Sequence, residues 1–249
     1  MPSEIIETDS HTLVTISCLS DNYAFLLRDK ATGDVALIDV PEAAPIAAEL
    51  AARGWTLSQI WLTHHHPDHI QGVPELTAHY SAPLYGAAAD AHRLPDLDVA
   101  LKDGDSFTLG ETRVHVIDVS GHTLGHIALF APTAKAAFTA DSLMALGCGR
   151  LFEGTPDQMY ASLAKMTEWP DDTLICSGHE YTASNAKFAL TVDPDNIALQ
   201  SRARDIESAR SEGRCTVPSL MSLERATNPF LRAPNAARFA EIRAQKDKF

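Results

Sequence analysis

Residues 63–72 read THHHPDHIQG, which places four histidines and an aspartate within six successive positions, 64–69. Imidazoles and a carboxylate are costly to crowd together and bury unless a cation holds them. The preceding SQIWLT is apolar and β-prone, so it reads as a strand that feeds directly into the cluster. The same layout of a strand followed by a polar loop recurs twice. ETRVHVIDV precedes GHTLGH at 121–126, and KAAFTA precedes Asp141. Loops at strand ends can converge from different strands, so the pattern predicts an α/β fold that gathers one polar site at the edge of its sheets.

Other segments fit that expectation. HTLVTISCL, NYAFLLRD, GDVALIDV, DSFTLG and HIALFAP read as strands, and PEAAPIAAELAARG reads as a helix closed by Gly54. DHIQGVPELTAHY is expected to be one short helix with Asp68 as its N-cap. The dipeptide at 103–104 and the LGE at 109–111 mark turns. Beyond about residue 155 the character changes. Thr155-Pro156-Asp157-Gln158 is a capping box with proline at the first helical position, and from Tyr181 onward the text is mostly helical. The division predicts a metal-bearing domain over 1–179 and a helical domain over 180–249.

Side chains alternate along a strand, so an extended 64–66 segment turns His64 and His66 to one side, able to grip one metal, and His65 to the other. Asp68 and His69 are displaced from that pair and would reach a second metal. His122 is the natural third nitrogen of the first site, Asp141 is placed to be shared, and His179 would complete the second site. The donors are nitrogen and oxygen only, which suits zinc, with iron or manganese as alternatives. His126 reads as a support for the ligands, and His11, His79, His92 and His115 as structural or surface residues. Cys18, Cys148, Cys176 and Cys215 are widely spaced with no CxxC, so free thiols in a reducing compartment are expected.

Composition narrows the partners. With 249 residues, 45% hydrophobic and 21% charged, the chain reads as a globular protein. A net charge of −13 disfavours nucleic acid and anionic membranes. MPSEIIETDS has neither the basic nor the apolar region of a signal peptide, so the expected location is the cytoplasm. Nothing in the sequence demands more than a monomer.

The motifs together resemble a known family. HxHxDH at 64–69, GH at 121–122, Asp141 and GHE at 178–180 are similar to the metallo-β-lactamase superfamily. SDNYAFLL (20–27), GHTLGHI (121–127), FTADSL (138–143), GCGRLFEGTPDQMYASL (147–163), SGHEYTASNAKFAL (177–190), NPFLR (228–232) and RAQKDKF (243–249) resemble its glyoxalase II branch, the hydroxyacylglutathione hydrolases. The resemblance implies a four-layer αββα sandwich with a C-terminal helical domain. It implies one metal on His64, His66 and His122, another on Asp68, His69 and His179, and Asp141 between them. Small departures are Gln71, Val40, and Phe152 where some relatives carry a substrate-contacting tyrosine.

The implied reaction is hydrolysis of a glutathione thioester, S-D-lactoylglutathione, to D-lactate and glutathione in methylglyoxal detoxification. A hydroxide bridging the two metals would be the nucleophile, with Asp68 and Asp141 serving it. Cys148 has no base paired with it by motif and is set aside as a nucleophile. Glutathione is anionic, so an acidic chain needs local cations to bind it. Arg243 and Lys246 lie three apart and share a helix face, which on spacing alone is equally a solvated face. The resemblance assigns Arg150, Tyr181, Arg243 and Lys246 to glutathione. Two alternatives are a mononuclear iron glutathione persulfide dioxygenase of the same fold and a metal- and glutathione-binding module without turnover.

Overall fold

The computed structural model describes residues 3–249. The chain forms two compact units. The first runs to Asp118 and resumes over Gly125–Phe138, while the second takes Val119–Leu124 and Thr139–Phe249.

In the first unit a seven-stranded sheet runs in the order β1 to β7. Its strands are β1 (Glu4–Glu7), β2 (His11–Cys18), β3 (Asn22–Asp29), β4 (Val35–Ile38), β5 (Gln59–Trp61), β6 (Leu84–Ala87) and β7 (Val99–Leu101). β1 to β4 pair antiparallel, and β4 to β7 pair parallel. Helix α1 (Ala43–Arg53) connects β4 to β5 and ends, as expected, on Gly54 in the left-handed region. A second group of strands follows: β8 (Ser106–Leu109), β9 (Thr112–Asp118), β10 (Ile127–Ala131) and β11 (Ala136–Ala140), each antiparallel to the next. β11 begins in the first unit and ends in the second.

β2, β3 and β4 are buried almost end to end because both faces of the sheet are covered. One face, with Val14, Ile16, Leu26 and Leu37, packs on Ile46 and Leu50 of α1. The other carries Phe25 and Trp61, whose rings lie 5.9 and 6.0 Å from Phe138, with Trp61 also 5.2 Å from Phe107. This aromatic layer joins the seven-stranded sheet to β8–β11. Asp29 adds a polar tie, accepting hydrogen bonds from Glu111 N and Thr112 Oγ1, and His11 is buried against the same threonine.

The single helix expected over 68–80 is two pieces, α2 (Pro67–Ile70) and α3 (Val73–Thr77). His66, not Asp68, is the N-cap residue of α2, with Pro67 in its first turn. The break falls at Gly72, where a Cβ would lie 2.9 Å from Ala43 N. Only glycine lets the chain pass so close to the start of α1.

The second unit adds the hairpin β12 (Leu143–Met144) and β13 (Gly147–Cys148), then α4 (Pro156–Met166) and β14 (Leu174–Ser177). α5 (Thr182–Val192), α6 (Ile197–Ser211), β15 (Ser219–Leu220), α7 (Met221–Thr227) and α8 (Ala236–Lys246) follow. Thr155 caps α4 reciprocally with Gln158, as the sequence predicts. Asn196 and Asn235 cap α6 and α8. The short strands β12 to β15 escape periodicity because two to four residues are too few to show a period.

Candidate metal centre

In the first unit the site grows from two neighbouring parallel strands. Ile38 of β4 pairs with Trp61 of β5, so both strands end at the same edge. β4 delivers Asp39 there, and β5 delivers Thr63 and His64. His64 and His66 face one another with ring centroids 4.8 Å apart, as strand alternation requires. His69 returns from α2 to within 4.2 Å of the His64 ring. Asp68 Oδ2 stands 3.9 Å from His69 Nε2 and accepts from Asn22 Nδ2 at 3.0 Å. His65 turns away onto Asp90 at 2.8 Å, and His126 stacks on His64.

Asp39, a residue that the sequence reading did not single out, organises this group. It is buried at 2% exposure and accepts from Thr63 N at 2.9 Å, Thr63 Oγ1 at 2.8 Å and His69 Nδ1 at 2.8 Å. A ring nitrogen facing a carboxylate oxygen carries its proton, so the lone pair of His69 is on Nε2. Thr63 spends its hydroxyl proton on Asp39, so it accepts from His64 Nδ1 at 3.0 Å. The lone pair of His64 therefore also lies on Nε2. One carboxylate fixes two imidazoles in a metal-binding tautomer.

The second unit holds a donor group of its own. Asp141 Oδ2 lies 3.4 Å from His122 Nε2 and 3.3 Å from His179 Nε2. His122 Nδ1 donates to the Arg150 carbonyl at 2.7 Å, again leaving Nε2 with the lone pair. His179 stacks on Tyr181, with ring centroids 4.7 Å apart and planes 4° apart. Its loop is anchored by Gly178 N to Ala140 O and by Glu180, which accepts from Thr216 N and Thr216 Oγ1. Charge-assisted N–H···O bonds measure about 2.7–2.9 Å. Two donors about 2.1 Å from one tetrahedral ion lie about 3.4 Å apart. The Asp141 distances match the second figure, and the donors are buried nitrogen and oxygen, so the group fits a divalent metal.

The residues expected to meet glutathione lie in the second unit. Tyr181 and Phe152 are exposed, with the Phe152 ring 5.3 Å from His122. The Arg150 side chain is 57% exposed, with Nε 3.5 Å from Asp247. Arg243 is buried and already engaged, donating to Cys148 O at 2.9 Å and to Asp247 from Nε and Nη2. Lys246 Nζ is 5.2 Å from both the Phe188 and Phe249 rings, and burial followed by the Arg243 charge pushes its pKa down to about 8. Burial likewise raises the Cys148 thiol to about 11, against any part as a thiolate nucleophile.

The described residues contain no helix long and apolar enough to cross a membrane. The fold is that of the Metallo-beta-lactamase superfamily, mixed α/β sheets with a helical C-terminal region, and the superfamily's model matches residues 20–179. A crystal structure of ETHE1 from Myxococcus xanthus superposes with a TM-score of 0.69 over 98% of this chain and 90% of that chain, at 24% identity.

A second family model, Hydroxyacylglutathione hydrolase C-terminus, matches residues 180–249. The chain is 62% identical to the hydroxyacylglutathione hydrolase of Ruegeria pomeroyi, over 95% of this chain and 98% of that protein. It is 57% identical to that of Roseobacter denitrificans over the same shares. The chain belongs to the hydroxyacylglutathione hydrolase family and is an enzyme of that kind.

Proposed function

We propose that the chain is a binuclear metal hydrolase that converts S-(2-hydroxyacyl)glutathione, S-D-lactoylglutathione in the first instance, and water to a 2-hydroxy acid and glutathione. The role is detoxification of methylglyoxal in the cytoplasm, and the chain acts as a monomer. Residues 1–179 form the catalytic domain, and 180–249 contribute glutathione binding. His64, His66 and His122 hold one metal, Asp68, His69 and His179 hold the other, and Asp141 is shared. Zinc is the expected occupant, with iron or manganese as alternatives. The observation that carries this reading is the single oxygen of Asp141, at 3.3–3.4 Å from the Nε2 atoms of two imidazoles, one of which, His122, is held in the ligand tautomer by the Arg150 carbonyl.

Bound divalent metals activate water near neutral pH and polarise the thioester carbonyl. The chain does the rest. Asp39 and the Arg150 carbonyl hold the imidazole protons on Nδ1. Asp68, steadied by Asn22, orients the attacking water. Arg150, Tyr181, Arg243 and Lys246 offset the glutathione carboxylates on a chain of net charge −13. In the reaction a C–O bond to water replaces the C–S bond, and sulfur leaves as a thiolate that needs no strong acid behind it. The test is metal analysis alongside turnover of S-lactoylglutathione. Two metals per chain with thioester loss are expected. One iron with oxygen uptake would point instead to a persulfide dioxygenase, and metal without turnover to a binding module.

A further inference from the structure

The β12–β13 hairpin is held far more firmly than its length requires. Its turn, Ala145-Leu146, is buried, and Leu146 sits at φ 56°. Buried backbone groups need partners other than water. Here side chains remote in sequence supply them. Asn228 Nδ2 donates to Met144 O at 3.1 Å and Gly147 O at 3.0 Å. Glu224 Oε2 accepts from Leu146 N at 2.9 Å, and Asn185 Nδ2 donates to Ala145 O at 3.0 Å. Glu224 is itself paired with buried Arg202. The buried Asn185 side chain thus reaches from α5 to the turn.

What the hairpin leads to explains the investment. Gly149 N closes its base on Ser142 O at 3.2 Å. Asp141 stands just before it, and Arg150 just after. Asp141 Oδ2 faces His122 Nε2, and the Arg150 carbonyl accepts from His122 Nδ1. Both nitrogens of one imidazole are set by the two ends of one hairpin. We propose that Asn228, together with Glu224 and Asn185, positions the metal centre by locking the 144–147 turn, so that the hairpin clamps His122. The inference rests on the reading of His122 as a metal ligand.

The test compares Asn228→Ala and Asn185→Ala with Ile46→Ala, a core truncation in α1 of the first unit. Three quantities are measured: the melting temperature, zinc affinity by chelator competition, and the ring-nitrogen NMR shifts of His122 in metal-free protein at alkaline pH. Loss of an outer partner of a ligand histidine weakens metal binding about 10–100-fold. Asn228→Ala should show that loss and a His122 ring no longer confined to the Nδ1–H form. Asn185→Ala, lacking one bond, should show a smaller version of both and carries the test should Asn228→Ala not fold. Ile46→Ala should melt earlier with zinc affinity and His122 unchanged. Wild-type zinc affinity and an unchanged His122 in a folded Asn228 or Asn185 variant would overturn the proposal, as would equal zinc loss in Ile46→Ala. A wild-type chain that takes up neither zinc, iron nor manganese would sink the metal assignment alone, and the His122 spectrum would still decide the clamp.

Discussion

Asp39→Asn is the sharpest probe of how the first unit prepares its ligands. The carboxylate serves three donors: Thr63 N, Thr63 Oγ1 and His69 Nδ1. An amide of the same size offers one oxygen and one NH2, so either orientation fails somewhere. With the amide oxygen toward His69, the NH2 faces Thr63 N–H, and a buried backbone donor goes without an acceptor. With the NH2 toward His69, the ring must accept at Nδ1 and carry its proton on Nε2, where the metal should bind. The Thr63 hydroxyl is then released to donate to His64 Nδ1, and His64 loses its ligand tautomer as well.

The first orientation leaves one buried donor unsatisfied, at about 1–3 kcal/mol, and weakens two hydrogen bonds to a charged group by about 1 kcal/mol each. The sum is about 3–5 kcal/mol, or roughly 6–20 °C in Tm for a chain of this size. The second orientation keeps more stability at the expense of metal, with a loss of about 10–100-fold in affinity. The variant will mix the two, so calorimetry and chelator competition should move together. Unchanged zinc affinity at both sites with full kcat/KM would refute the tautomer argument. A lower Tm with intact metal affinity would reduce Asp39 to a structural residue.

Lys246 predicts a pH dependence of binding. Its folded pKa of about 8 lies below the ordinary 10.5, so the folded protein binds fewer protons between those values and gains stability as pH rises through that window. On the proposed role of Lys246, substrate binding should run the other way: its ammonium would attract a carboxylate below pH 8 and lose that charge above it. KM for S-lactoylglutathione should rise above pH 8 with kcat less affected, and Lys246→Met should raise KM and flatten its pH profile; the same slope in both proteins would remove Lys246 from the binding site. Gly149→Ala would place a Cβ 1.9 Å from Asp141 O and 2.9 Å from His122 Nδ1. The backbone must shift, so metal binding and turnover should collapse together with a stability loss of about 1–3 kcal/mol or more; a fully loaded, active variant would contradict the packing described around His122.

The sequence displays the candidate ligands better than the groups that aim them. His64 and His66 were legible because strand alternation is a periodic property of the chain, and His69 because it stands at the start of the helix that follows. The α1 stop at Gly54 and the Thr155 capping box were legible because each is a local chemical signature. The break between α2 and α3 was not, since it depends on how closely Gly72 approaches Ala43 in the folded unit. Asp39 follows its strand as an ordinary aspartate would. Only its positive φ of 57° and its three donors, two of them contributed by Thr63, distinguish it.

The least legible element is the partner of His122, because it is a backbone carbonyl. Every residue has one, so no side chain at position 150 could announce that its carbonyl would orient an imidazole 28 positions earlier. Yet the two units reach the same chemical result by different means. His64 and His69 have Nδ1 occupied through Asp39, and His122 through Arg150 O, which in each ring leaves Nε2 with the lone pair. An imidazole left to itself populates both tautomers, so three rings set alike reflect acceptors built into the fold. That shared setting ties Asp39, on one strand end, to Asn228, far along the chain. Each acts on a ring that it fixes through an intermediary or a direct bond, and the removal of either should be read first in metal affinity and only afterwards in turnover.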